Sequence, residues 1–135
     1  MIGIVLIGHA SIASEMLKAL EYVVGEQPLI DALDVVAGQS PEELSKALDA
    51  RIRACDVGDG VLVLADMFGG TPCNVAMGTL AKGHVEVVSG FNLPLLVKAA
   101  TLRSSMQDLA AFAEQVVESG RMYMRIAPHS TRVRG

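Results

Sequence analysis

Short runs that are apolar throughout alternate in this chain with stretches whose apolar residues recur at helical spacing. Ile2–Ile7 is almost wholly apolar, as a strand covered on both faces of a parallel sheet should be. Gly8-His9-Ala10 ends it. Ser11 then stands where a cap belongs, ahead of Ile12, Met16, Ala19, Leu20 and Val23 at helical intervals, with Gly25 as the stop and Pro28 beyond. Leu29–Val36 reads as a second strand. Ser40-Pro41-Glu42-Glu43 is a capping box with proline at the first helical position, and Leu44, Ala47, Leu48 and Ile52 line one face of the helix it opens. Val61–Ala65 is again fully apolar, a third strand with Asp66 at its carboxyl end. In Met67-Phe68-Gly69-Gly70-Thr71-Pro72 the two glycines make a tight turn, Thr71 caps and Pro72 opens a helix to Leu80. Val85–Ser89 is the fourth strand and Gly90-Phe91-Asn92-Leu93 the loop after it. Helices are expected over Pro94–Leu102 and Met106–Ser119, with Gly120 as stop. Arg121–Ile126 alternates apolar and polar side chains and reads as a last strand with one face exposed.

Strand and helix in alternation predict an α/β fold: a doubly wound, flavodoxin-like parallel sheet of four strands in the order 2-1-3-4. The chain has 135 residues, the size of one domain, and 51% of them are hydrophobic, enough for a substantial core. Aromatics are 4% with no Trp, so that core is aliphatic. Residues 1–126 are expected to form the domain, and Ala127–Gly135 a basic, disordered tail. Before Arg121 the chain carries seven basic residues against fifteen acidic ones; after it there are no acids. An acidic body argues against non-specific nucleic-acid binding and suits a partner with a basic docking face. The apolar runs are far short of the ~20 residues of a spanning helix. No basic flank precedes the first of them, and the two cysteines are too few for a secreted disulfide scaffold. A cytoplasmic protein is expected.

Open parallel sheets bind ligands outside the carboxyl ends of their strands, where successive crossovers diverge. In the order 2-1-3-4 the first and third strands are neighbours, so His9 and Asp66 face one another at that switch point. Neutral imidazole is a nucleophile near physiological pH. A carboxylate accepting a hydrogen bond from one ring N–H fixes the tautomer and leaves the other nitrogen free to attack. The Gly69-Gly70-Thr71 turn adds a helix N-terminus suited to an anion, and the Thr71 hydroxyl a further donor. A histidine, an orienting carboxylate and an anion cradle make a phosphohistidine site. Each signal alone has a plainer reading, as a backbone-bonded histidine, a turn-forming aspartate and a helix start. Their placement at adjacent strand ends favours the chemical one.

Other chemistries lack their residues. A receiver domain needs acidic residues after the first strand and a lysine after the fifth. There is no Walker loop, no Gly-x-Gly-x-x-Gly and no nucleophile elbow, so no nucleotide or other cofactor is expected. His9, Asp66 and Cys73 lack the ligand spacing of a metal site. A helix dipole lowers the pKa of a thiol placed like Cys73, but a small apolar filler is the commoner role. His84 begins a strand at the end opposite the site, and His129 lies in the tail.

Three segments carry a resemblance: Ile-Gly-Ile-Val-Leu-Ile-Gly-His at the start, Leu-Ala-Asp-Met-Phe-Gly-Gly-Thr-Pro-Cys-Asn in the middle and Gly-Phe-Asn-Leu-Pro later. In order and over nearly the whole chain they resemble the enzyme IIA domain of the mannose-family sugar phosphotransferase system. The related phosphotransfer subunit of dihydroxyacetone kinases lacks the Gly-Gly-Thr-Pro turn. The resemblance implies that His9 is phosphorylated and that Asp66 orients it. It implies the phosphocarrier protein HPr as donor, itself charged from phosphoenolpyruvate, and an enzyme IIB protein as acceptor in sugar uptake. It also implies a homodimer that exchanges an antiparallel strand at the position of Arg121–Ile126, and it places Phe68 and Asn92 at the site rim or partner-docking surface. Two departures stand out: Gly8-His9-Ala10 replaces the Thr-His-Gly of many sugar-transporting members, and Phe68 replaces a frequent Trp. The chain ends without a IIB segment, so a separate IIB is expected. A regulatory IIA that switches partner binding, or a small-ligand-binding flavodoxin-like protein with an unmodified His9, would share this framework.

Overall fold

A computed structural model of the chain describes residues 1–129. β1 (Gly3–His9), β2 (Ile30–Val35), β3 (Val61–Ala65) and β4 (Val85–Ser89) form an all-parallel sheet in the order β2-β1-β3-β4. Five helices connect and cover it: α1 (Ile12–Val24), α2 (Pro41–Cys55), α3 (Gly70–Met77), α4 (Leu93–Leu102) and α5 (Leu109–Met122). The fold and strand order are those the hydrophobic pattern predicts.

The two faces of the sheet use alternate residues of each strand. Ile4, Leu6, Leu62 and Leu64 are buried with Ala13, Leu20, Leu96, Phe112 and Val116 of α1, α4 and α5. Val5, Ile7, Val61 and Val63 are buried with Leu44, Leu48, Val75 and Ala76 of α2 and α3. Each fully buried Leu or Ile contributes about 1.5–3 kcal/mol of transfer free energy. This alternation also aims the chemistry: the row Val5, Ile7, His9 points to the face that carries α3.

Several boundaries differ from expectation. Ser40 caps α2 as the capping box requires, its hydroxyl accepting the Glu43 N–H at 3.1 Å. Ser11 makes no cap bond to α1, because its backbone (φ −101°, ψ 17°) is already turning and a cap needs an extended residue. The Asp34 carboxylate, from β2, takes the Ser14 N–H instead, at 3.0 Å. Thr71 does not cap α3 either: Gly69 occupies that position and the helix receives no side-chain cap. α3 ends at Met77, before a 3-10 turn over Leu80–Lys82. α5 begins at Leu109, capped by Asp108, not at Met106.

The expected last strand is absent from the single chain. Gly120 does not stop α5, which runs to Met122 and ends in a turn in which Tyr123 N–H donates to Ser119 O at 3.3 Å. Residues 124–126 follow the helix without regular secondary structure and without pairing to the sheet. An alternating pattern becomes a strand only where it pairs with a neighbouring strand, and among the described residues this segment pairs with none. Of the expected tail, Ala127–His129 is exposed, and the remainder lies outside the described residues.

One buried charge was not foreseen. Arg103 is 1% exposed and ties the α1–β2 connection to the start of β1. Its Nη1 donates to Ile2 O and Leu29 O, both at 3.3 Å, and its Nη2 to Gln27 Oε1 at 3.2 Å and Pro28 O at 2.5 Å. Burial lowers its pKa, opposed by the nearby Cys55. A lysine there reaches too few of these acceptors. Arg103→Lys is expected to destabilise the fold by about 2–4 kcal/mol in urea denaturation, since buried carbonyls lose their donors. A loss below about 1 kcal/mol would show that water satisfies them.

Candidate active site

The carboxyl ends of β1 and β3 lie side by side, with Ile7 paired to Ala65. Just beyond that pair stand His9 and Asp66. Asp66 N–H donates back to Ile7 O at 3.2 Å, and the Asp66 side chain crosses to the end of β1. There its Oδ2 accepts both the His9 backbone N–H at 2.9 Å and the His9 ring Nδ1–H at 2.8 Å. Its Oδ1 accepts the Met67 N–H at 3.0 Å.

Burial pushes the Asp66 carboxyl up, but the His9 amide, the His9 ring and the Met67 amide outweigh it and hold the group below its ordinary value. Asp66 is therefore a carboxylate at neutral pH and can only accept. The His9 nitrogen facing it must then carry the proton, and in the neutral ring the lone pair sits on Nε2. The side chains differ in access: Asp66 is 9% exposed and His9 48%. The carboxylate is sheltered while the ring is open.

Empty space at two glycines allows this arrangement. A Cβ at Gly8 would lie 2.3 Å from Ile12 Cγ2 and 3.3 Å from Asp66 Cγ. Ile12 thus fills the room that a threonine would take in the more usual motif, and Gly8 lets Asp66 pass. A Cβ at Gly70, where φ is +79°, would lie 3.3 Å from His9 Nε2. The free nitrogen therefore faces the first residue of α3. The backbone of Ala10 is left-handed, with φ +52°, a conformation that costs a non-glycine residue about 1–2 kcal/mol.

Of the residues singled out in the sequence, His9, Asp66 and Gly70 converge, with Gly69 and Thr71 beside them at the α3 start. Phe68 is 76% exposed. Asn92 has both polar ends engaged within the fold: Oδ1 caps α4 through Leu95 N–H at 2.9 Å and Nδ2 donates to Gly120 O at 3.0 Å. Cys73 is buried, its Sγ 3.8 Å from Met77 Sδ. His84 is exposed before β4, packed over Gly60. Among the described residues no group of three or more His, Cys, Asp or Glu is placed to hold a metal ion. Sequence reasoning missed Ile12 and Val36, which join Met67 and Phe68 as exposed apolar side chains following β1, β2 and β3. Their positions just past strand ends were the available signal.

Comparison with known proteins agrees with this geometry. A family model described as the PTS system fructose IIA component matches residues 3–117. The chain is 37% identical over 124 residues to the PTS system mannose-specific EIIAB component of Escherichia coli K12, covering 89% of this chain but 38% of that protein. It is 34% identical to a putative phosphotransferase enzyme IIA component, YadI, of the same organism, covering 89% of this chain and 82% of the relative. Among solved structures, the phosphotransferase system component EIIA from Streptococcus agalactiae superposes with a TM-score of 0.85 at 28% identity, covering 97% of this chain and 99% of that one. These matches define the class as enzyme IIA proteins of the sugar phosphotransferase system. Within it, the chain belongs to the mannose/fructose EIIA family.

The depressed Asp66 carboxyl has a measurable signature. A group with a lowered folded-state pKa contributes stability that is full above its unfolded value, 3.8, and lost as pH falls through the lower folded value. The stability gap between wild type and Asp66→Asn is expected to hold from pH 7 to about 4 and to narrow below. Urea midpoints across that range check it. A constant gap down to the acid limit would show that the carboxylate's charge contributes nothing.

Proposed function

We propose that this chain is a phosphocarrier of the phosphoenolpyruvate-dependent sugar phosphotransferase system, which takes a phosphoryl group from phospho-HPr on His9 and passes it to an enzyme IIB protein in sugar uptake. The observation that carries this reading is the Asp66–His9 pair with Nε2 turned towards the start of α3. The Nε2 lone pair attacks phosphorus in line. The bond from phosphorus to the donor breaks and its electron pair leaves with the donor. No proton need be removed from the ring before attack. The phosphorylated ring gains cationic character while Nδ1–H stays bonded to Asp66, whose charge stabilises it. The phosphoryl oxygens lie at Gly69, Gly70 and Thr71, where the helix N-terminus and a hydroxyl favour negative charge. No cofactor takes part. The second transfer is the same displacement with the IIB nucleophile attacking.

A half-exposed His9 at the sheet end where Ile12, Val36, Met67 and Phe68 are also exposed suits a partner protein better than a small molecule, because that end offers apolar area for docking. No helix among the described residues is long and apolar enough to cross a membrane, and the reading places the carrier in the cytoplasm. Met122, Tyr123, Met124 and Ile126 are exposed at and beyond the end of α5, and the outer edge of β4 is unpaired among the described residues. In a homodimer that segment of one subunit would pair with β4 of the other, covering an edge open to aggregation.

Two experiments test this reading. In single-turnover phosphorylation by phospho-HPr, followed by intact mass, His9→Ala should gain no phosphate while His84→Ala and His129→Ala react normally. Asp66→Asn should be slower by about 10–10³-fold, equivalent to roughly 1.4–4 kcal/mol, and Phe68→Ala should chiefly raise the half-saturating donor concentration. Phosphate on His9→Ala, or a wild-type rate in folded Asp66→Asn, would sink the mechanism. For assembly, removal of residues 123–135 should convert dimer to monomer or aggregate in light scattering; an unchanged dimer would take the segment out of the interface.

A further inference from the structure

The turn that carries His9 is held from three sides, and two of the holds come from the end of β2. β1 and β2 pair with Gly8 opposite Asp34 and His9 opposite Val35. Val35 O accepts the Ala10 N–H at 2.9 Å. Ile30 and Ala32 turn to the face that packs against α1, and Asp34 continues that row with a carboxylate where the helix begins. Its Oδ1 accepts the Ser14 N–H at 3.0 Å and its Oδ2 the Ser14 hydroxyl at 2.6 Å. The third hold is Asp66 Oδ2 on the His9 N–H at 2.9 Å.

Between these holds the backbone is strained. Ala10 is left-handed at φ +52°, and Ser11, the residue positioned to cap α1, makes no cap bond. A strained turn persists only where its surroundings over-determine it. Without Asp34 the first turn of α1 has no side-chain cap at Ser14 N–H, and only the Ala10 bond to Val35 O and the His9 bond to Asp66 are left to oppose relaxation of Ala10 towards ordinary backbone. That relaxation would carry Ile12 away from Gly8, where its Cγ2 fills the seam next to Asp66. The His9 ring would then lose its fixed placement between Asp66 and Gly70.

We infer that Asp34 is a positioning residue for phosphoryl transfer: through Ser14 it clamps the strained His9–Ser11 turn and so holds the His9 ring in register with Asp66 and the α3 start. It touches no reacting atom. The inference rests on the reading above that His9 is the phosphorylated group.

The test uses Asp34→Ala and Asp34→Asn in the full chain, at a temperature where circular dichroism shows each variant folded. Single-turnover phosphorylation is measured over a range of phospho-HPr concentrations. Asp34→Ala is expected to lower the saturating rate by about 10–100-fold, since small misplacements of a nucleophile carry losses of that order. The half-saturating donor concentration should change far less than the saturating rate, because Met67 and Phe68, on the loop after β3, stay in place to dock the partner. Asp34→Asn, which keeps an acceptor for Ser14 N–H and a donor to its hydroxyl, should recover most of the rate. A merely stabilising cap would lower the melting temperature and leave the saturating rate alone. An unchanged saturating rate in folded Asp34→Ala, an effect confined to half-saturation, or an asparagine variant no better than alanine would each overturn the inference. A second readout needs no donor: the nitrogen-15 shifts of the His9 ring should report one fixed Nδ1–H tautomer in the wild type and an averaged ring in Asp34→Ala. If wild-type protein takes no phosphate, the phosphocarrier reading fails, and identical ring shifts in the two proteins would separately refute the clamp.

Discussion

The site depends on one carboxylate accepting three hydrogen bonds. Asp66 receives the His9 amide, the His9 ring and the Met67 amide. Two of these are backbone donors at strand ends, where the ladder has run out. The third is the ring. The group that finishes the backbone of β1 therefore also selects the tautomer of the histidine at its tip. Structure and chemistry are not separable here, because any change that loosens the strand ends also frees the ring.

This coupling requires β1 and β3 to be neighbours and requires room between them. The neighbourhood follows from the 2-1-3-4 order, in which the chain reverses its winding between these strands. The room follows from Gly8, whose missing Cβ lets Asp66 cross and Ile12 pack. On the far side of the ring Gly70 leaves Nε2 an open approach. The ring is gripped at one nitrogen and left clear at the other. That division is what a group that accepts and then surrenders a substituent needs.

The surroundings divide in the same way. Asp66 is nearly buried, so its bonds to His9 are little weakened by competing water, whereas His9 is half-exposed among apolar side chains that face outward. A protein partner arriving over that rim would exclude water from the reacting atoms while touching few charged groups. The strain at Ala10 fits this picture: backbone held out of its preferred region sits beside His9, restrained by bonds from β2 and from the end of β3.

Strand and helix order, strand identity and the two faces of the sheet were legible in the chain because fully apolar runs such as Ile2–Ile7 and Val61–Ala65 have one stable use, burial on both faces of a parallel sheet. His9 and Asp66 were legible because both directly follow such runs, and the switch-point rule brings their strand ends together. What could not be read off depends on which atoms meet through space. Ser11 stands where a cap of α1 belongs, but the turn at Ala10 takes it out of extended backbone, and Asp34 supplies the bond to Ser14 from twenty residues beyond Ser14. Asn92 sits at a strand end yet is consumed in joining α4 to α5. Arg103 was not singled out in the sequence, and only the packed α1–β2 connection and the start of β1 supply the carbonyls that keep it inside. Arg121–Ile126 has the alternation of a strand, but pairing requires a second strand, and the helix before it instead runs on to Met122. Local pattern determines what a segment prefers; tertiary structure decides which partner is within hydrogen-bonding distance, and each of these residues takes its role from such a partner.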